Sequence, residues 1–226
     1  MMPHGVAREG LRTTDCGGCQ SLQVVVMLHG RNMQASDLAP FGASLGVDAH
    51  FVFPDAPLAA EHGRTWWPVD SEARLREQGA RDLHAMNPPG RVEARTMLGE
   101  LCSTVAQGKR LALVGFSQGG MLAMDYVLHG GHVDALALLS STRIAFDEWR
   151  PLLPRLAGLP VLVAHGREDE ELSFAAGEAL RDAAQAGGAE VTWLPFDGGH
   201  GIPLPVWRGL RKFLATRFAS LSTISA

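Results

Sequence analysis

Four nearly continuous apolar runs constrain this chain more than any other feature: Leu22 to Leu28, Leu111 to Gly115, Ala135 to Leu139 and Pro160 to Ala164. A strand with one wet face alternates apolar and polar residues. A run that is apolar throughout suits a strand covered on both faces, as in parallel sheets. His50 to Pro54 and Glu190 to Phe196 read as shorter or more polar strands. Gly10 to Thr14 is expected to pair with Leu22 to Leu28, with Gly17-Gly18 as the hairpin turn.

Helical patterns lie between these runs. Ser36 is placed to cap a helix that buries Leu38, Phe41 and Leu45. Val92, Leu98, Leu101 and Val105 follow the Pro88-Pro89-Gly90 break at helical spacing, and Gln118 to His129 follows a strand directly. Ser173 can cap a helix that stops at Gly187-Gly188. Pro203 and Pro205 open a last helix burying Trp207, Leu210 and Leu214. Alternation of strand and helix implies a mainly parallel, twisted α/β sheet of about seven strands with helices on both faces. No repeat or linker divides the 226 residues, so one domain over 1–226 is expected. Residues 55–90 break the rhythm. They show no strand pattern, hold Trp66-Trp67 and a charged run from Glu72 to Arg81, and read as a lid or pocket-lining insertion.

Composition excludes several classes. Twenty Lys and Arg against 24 Asp and Glu leave a net charge of −4, so neither nucleic acid nor an anionic membrane is expected as the main partner. No apolar run reaches the roughly 18 residues of a membrane span. The start, Met1 to Arg8, lacks the apolar stretch of an export signal, and the expected location is cytoplasmic. Three cysteines, Cys16, Cys19 and Cys102, suit a reducing compartment. Cys16-Gly17-Gly18-Cys19 has no second ligand pair for zinc and is flanked by strands, so it reads as an incidental turn, with a redox or metal role the alternative.

Gly115-Phe116-Ser117-Gln118-Gly119 fits G-x-S-x-G, beginning where one apolar run ends and leading into a helix. That strand-turn-helix context is a nucleophile elbow. A serine hydroxyl needs a base, and the base needs an orienting carboxylate, in the chain order Ser, acid, His. Among the histidines after the serine, His132 sits at a helix exit. His165 ends a buried strand and is the alternative base. His200, in Gly198-Gly199-His200-Gly201, is the favoured one. Glu168, Asp169, Glu170 and Glu171 share one turn, and Asp147 follows another strand; spacing does not choose among them. The backbone N–H groups of Gln118 and of Arg31, the latter after His29-Gly30, are placed to bind an oxyanion. The Arg31 side chain itself reads as solvent-facing or ion-paired, with an anionic substrate group as the alternative partner.

These residues resemble the phospholipase/carboxylesterase family of the α/β-hydrolase superfamily, which includes the acyl-protein thioesterases. The resemblance runs from about Leu22 to Leu214. It rests on Leu28-His29-Gly30, Gly115-Phe116-Ser117-Gln118-Gly119-Gly120, His165-Gly166-Arg167-Glu168-Asp169 and Gly199-His200. It implies the α/β-hydrolase fold, with Ser117 as nucleophile, Asp169 as acid, His200 as base, and Arg31 and Gln118 as oxyanion amides. It puts Trp66 in the loop lining the acyl pocket. Leu139-Ser140-Ser141-Thr142 and Glu170-Glu171-Leu172-Ser173 depart from the family's usual segments.

The function expected is a serine carboxylester hydrolase for short- to medium-chain acyl esters, acting through an acyl-enzyme without metal or cofactor. Met33, Phe41, Trp66, Trp67 and Phe146 are the expected pocket walls. The expected partner is a small-molecule acyl ester, with no nucleic acid and no stable membrane insertion, and the chain a monomer or homodimer. A thioesterase or lysophospholipase is the alternative in the same chemistry. A non-catalytic binding protein on the same fold is the alternative of another class.

Overall fold

The computed structural model describes residues 10–18, 20–69 and 81–219. Seven strands form one sheet: β1 (Thr13–Gly17), β2 (Gln23–Leu28), β3 (His50–Pro54), β6 (Arg110–Phe116), β7 (Ala135–Leu139), β8 (Pro160–Gly166) and β9 (Glu190–Phe196). Their order is β1-β3-β2-β6-β7-β8-β9. Only β1 runs antiparallel. The four apolar runs are β2, β6, β7 and β8, which with β3 are the strands that have a neighbour on either side.

Alternate residues along a strand feed two separate cores. Val24, Val26 and Leu28 point to one face, where they join a cluster with Leu98, Leu122 and Leu180. Those three come from α2 (Arg91–Ala106), α3 (Gln118–Leu128) and α4 (Phe174–Ala186). Val25 and Met27 point the other way, to a cluster with Leu38 of α1 (Ala35–Ser44) and Leu210 and Leu214 of α5 (Leu204–Ala219). Full burial of each such side chain contributes about 1.5–3 kcal/mol. Between β7 and β8 the chain makes a short helix, Phe146–Trp149, and a 3-10 turn, Arg150–Leu156.

Three local expectations are corrected. β1 does not pair with β2. It lies against β3, Thr13 opposite Pro54 and Gly17 opposite His50. β2 is already flanked by β3 and β6, so the mostly exposed segment TTDCG takes the sheet edge, and Gly17 ends that edge strand rather than turning a hairpin. Cys16 Sγ lies 3.9 Å from the Ala39 carbonyl; Cys19 is outside the described residues. Second, the 55–90 stretch does contain strands, the antiparallel hairpin β4 (Leu58–Ala60) and β5 (Gly63–Thr65), too short for alternation to show. Most of its charged run lies outside the described residues. Third, α1 starts after Gln34, not at Ser36. The Gln34 N–H donates to Asp37 at 2.9 Å, one half of a capping box. Phe41 then faces outward, 42% exposed.

The strand order reverses between β2 and β6. In open α/β sheets the crevice beyond the carboxyl ends of such strands is where ligands bind. The loops leaving β2, β6, β8 and β9 carry His29 to Arg31, Ser117, Asp169 and His200 to this one rim.

Candidate active site

Ser117 stands between β6 and α3 with φ 51° and ψ −117°. This conformation is strained for any residue with a side chain. It holds because the turn is squeezed from both sides. A Cβ on Gly115 would collide with the Gly119 carbonyl, and one on Gly119 with the Leu28 carbonyl. The serine side chain caps nothing on its own helix, which leaves Oγ to the crevice.

His200 Nε2 lies 2.9 Å from Ser117 Oγ, and His200 Nδ1 lies 2.7 Å from Asp169 Oδ2. The other carboxylate oxygen, Asp169 Oδ1, accepts the N–H groups of Glu171 and Leu172, both at 2.9 Å. Burial pushes the Asp169 carboxyl up. The hydrogen bond and charge of His200, the Leu172 N–H and His165 outweigh it, and the group ends below the ordinary carboxylate value. Asp169 is therefore an anion at neutral pH, facing the imidazole. The imidazole is paired with Asp169, whereas Asp147 is almost fully exposed and pairs with Arg150. His132 lies away from the rim, beside Gly130, Arg155 and Pro160. His165 lies buried behind Asp169, its Nε2 3.3 Å from Oδ2.

Gln118 opens α3, so its N–H is one of the helix's first, which have no acceptor within the helix. The β2 loop comes up to the same point: a Cβ on Gly30 would sit 3.3 Å from the Ser117 Cβ. His29 anchors that loop in one tautomer. Its Nδ1 lies 2.7 Å from the Gly30 carbonyl and its Nε2 accepts the Ala56 N–H at 3.0 Å. Burial lowers the His29 pKa, which favours the neutral ring this pattern requires.

A narrow cleft of about 40 Å³ opens beside Ser117. Of the five expected wall residues, only Trp67 lines it, together with Val69, Leu83, Met86, Pro88, Met121, Ile144 and Leu172; Arg31 and Gln118 also border it. Trp66 is buried, and its indole N–H donates to the His29 carbonyl at 2.9 Å. Met33 is bridged to Arg64 on the hairpin. Phe41 stacks on Trp207, ring centres 4.9 Å apart, over α5. Phe146 sits under the guanidinium groups of Arg143 and Arg150. The wall residues missed in the sequence come partly from 81–90. That segment is tied down by Asp82, which accepts from Thr142 at 3.1 Å and from Arg143 at 2.6 Å, and by the Ala145 N–H on the Met86 carbonyl at 2.6 Å.

Reasoning from sequence also missed what the Gln118 side chain does. Its Oε1 accepts the Trp66 N–H at 2.9 Å and lies 3.0 Å from the Thr65 hydroxyl, and its amide nitrogen reaches the Trp67 carbonyl at 3.3 Å. Hydrogen-bonding capacity at the start of a helix was the one signal for it. Among the described residues no group of three or more His, Cys, Asp or Glu is arranged for a metal ion, and no helix is long and apolar enough to cross a membrane.

Comparison with known proteins identifies a family and a fold. The model of the family described as Phospholipase/Carboxylesterase matches residues 12–217. No curated protein matches the sequence. Among solved structures, esterase PE8 superposes with a TM-score of 0.76 at 24% identity, covering 92% of this chain and 99% of its own. Acyl-protein thioesterase 2 of Zea mays gives 0.74 at 19% identity, with coverage of 92% and 99%. The Bacillus cereus carboxylesterase gives 0.71 at 16% identity, covering 92% of this chain and 95% of its own. At these identities the structures show a shared fold.

Proposed function

Since the chain belongs to the phospholipase/carboxylesterase family, and is thus a hydrolase of the serine type, we propose that it cleaves esters of short acyl chains through an acyl-enzyme on Ser117. His200 takes the proton from Ser117 Oγ as the oxygen attacks the carbonyl. The oxyanion that forms is bound by the backbone N–H groups of Gln118 and Arg31. Asp169 keeps the His200 Nδ1–H pointed inward and stabilises the imidazolium. His200 then protonates the leaving alcohol and activates the water that releases the acid.

The observation that carries this reading is the unbroken chain of contacts Ser117–His200–Asp169, at 2.9 and 2.7 Å, at the reversal of the strand order. The cleft supports the short end of the substrate range. It is narrow, about 40 Å³, and its walls include the apolar residues Trp67, Leu83, Met86, Met121 and Ile144. Residues 81–90 then act as a fixed wall of that cleft within a single domain. An intact triad argues against a purely binding role.

The test is a series of p-nitrophenyl esters with the wild type and Ser117→Ala, alongside labelling by a fluorophosphonate probe. The expected result is hydrolysis best on short chains, and loss of both hydrolysis and labelling in the variant. Full activity in Ser117→Ala overturns the mechanism. Higher kcat/KM on thioesters or lysolipids than on simple esters replaces the substrate class and leaves the mechanism standing.

A further inference from the structure

His165 is a poor choice for a core filler, and that points to a use. Its side chain is fully buried at the end of β8. Its Nδ1 has no hydrogen-bond partner among the described residues, a penalty an apolar side chain of similar size would avoid. Gly177, inside α4, has no Cβ because one would overlap the His165 ring. Glycine inside a helix is destabilising. A leucine at 165 would leave no polar atom unpartnered.

The other ring nitrogen explains why a histidine stands there. His165 Nε2 lies 3.0 Å from the Leu172 carbonyl and 3.3 Å from Asp169 Oδ2. Both neighbours only accept, so Nε2 carries the proton and Nδ1 the lone pair. Burial, which lowers the His165 pKa, agrees with a neutral ring. The Leu172 N–H in turn donates to Asp169 Oδ1. His165 thus closes the turn Asp169–Leu172 from behind. One end of that turn carries the carboxylate that faces His200, and the other borders the cleft beside Ser117.

We propose that His165 is a positioning residue for the reaction: its Nε2–H, acting through the Leu172 carbonyl and beside Asp169 Oδ2, holds the carboxylate in line with His200. This rests on the triad reading of the preceding section. The charged or titratable groups that act on the His165 ring are Asp169 and His200.

His165→Phe keeps the ring volume and loses the donor. Its expected kcat on a short-chain ester falls about 10- to 100-fold, the scale of a small misplacement in an active site, with KM changed much less. The acid limb of kcat/KM moves to lower pH, because a displaced Asp169 stabilises the His200 imidazolium less. A core defect alone would lower stability without moving that limb. His165→Gln, whose amide nitrogen reaches about as far as Nε2, is expected to recover most of kcat. His165→Asn, whose amide reaches only as far as Nδ1, does not. If the Phe variant fails to fold, the Gln and Asn pair carries the comparison. Wild-type kcat and acid limb in His165→Phe, or equal kcat in the Gln and Asn variants, overturns the inference. Activity retained in Ser117→Ala would instead overturn the triad reading beneath it.

Discussion

The side-chain oxygen of Gln118 accepts the backbone N–H of Trp66 at 2.9 Å, across 52 positions of sequence. The residue that opens α3 is therefore also the clamp on the Trp66-Trp67 segment. The loop after β2 is held by that segment too, through the Trp66 indole on the His29 carbonyl. One buried segment braces the carboxyl ends of both β2 and β6.

Gln118→Ala keeps the backbone N–H and removes the clamp. The buried Trp66 N–H loses its partner, which is expected to destabilise the fold by about 1–3 kcal/mol. Trp67, freed from the amide, no longer fixes the width of the cleft. We expect the preference for short esters to flatten in a chain-length series, while urea melts report the stability loss. A melt that shifts with an unchanged chain-length profile would show the clamp to be structural only.

Ser117 offers a separation of stability from activity. Its φ of 51° is strained for serine and open to glycine. Ser117→Gly is expected to abolish ester hydrolysis and to raise stability by about 1 kcal/mol, or about 2–4 °C in Tm. An unchanged or lower Tm from calorimetry would mean that the surrounding turn, and not the residue, carries the strain.

Acid sensitivity should begin well above the carboxylate range. Burial lowers the pKa of His29 and of His165, so below about 6.5, the ordinary histidine value, the unfolded chain binds protons that the folded chain refuses. The stability they allow is complete above that pH and drains away as pH falls through it. Asp169 is lowered too. Its contribution is present above the ordinary carboxylate value of about 3.9 and is lost as pH falls further, toward its folded pKa. Urea midpoints measured from pH 8 to pH 3 are expected to decline in two stages. A flat profile between pH 7 and 5 would contradict the histidine stage.

The strands and the triad differ in how they could be read from the chain. β2, β6, β7 and β8 are legible because covering both faces leaves no position for a polar residue. The Ser117 turn is legible because two glycines and a strand-helix junction are local features. Partners chosen at long range are not. β1 sits beside β3 because β2 already has two neighbours, and nothing within TTDCG says so. Asp169 stands out from its acidic neighbours only by family resemblance; in space it is the residue whose carboxylate meets both the Leu172 N–H and His200. The resemblance puts Trp66 at the cleft and aromatic character puts Phe41 there, but the Trp66 indole is buried against the His29 carbonyl and Phe41 stacks on Trp207.

Beneath the cleft, Asp125 on α3 is wholly buried, paired with Arg91 and Arg95 of α2 and with the Trp149 indole at 2.8 Å. Removing one partner of a buried pair leaves an uncompensated charge. Asp125→Ala is expected to destabilise the fold by about 3–5 kcal/mol. Because no member of the group touches Ser117 or His200, the fluorophosphonate labelling rate of the folded fraction should stay near wild type. A labelling rate that falls in step with stability would show the ion group to be coupled to the serine.

The attachment of Asp82 to Thr142 and Arg143 has an evolutionary reading. It pins the far wall at its rim without using the side chains of Leu83, Met86 and Ile144, which line the cleft. Exchanges at these three reshape the cleft at the packing cost of altering the buried Leu83 and Ile144. New substrate tastes are therefore accessible by single steps in a lineage, or in a small saturation library, with the chemistry inherited intact.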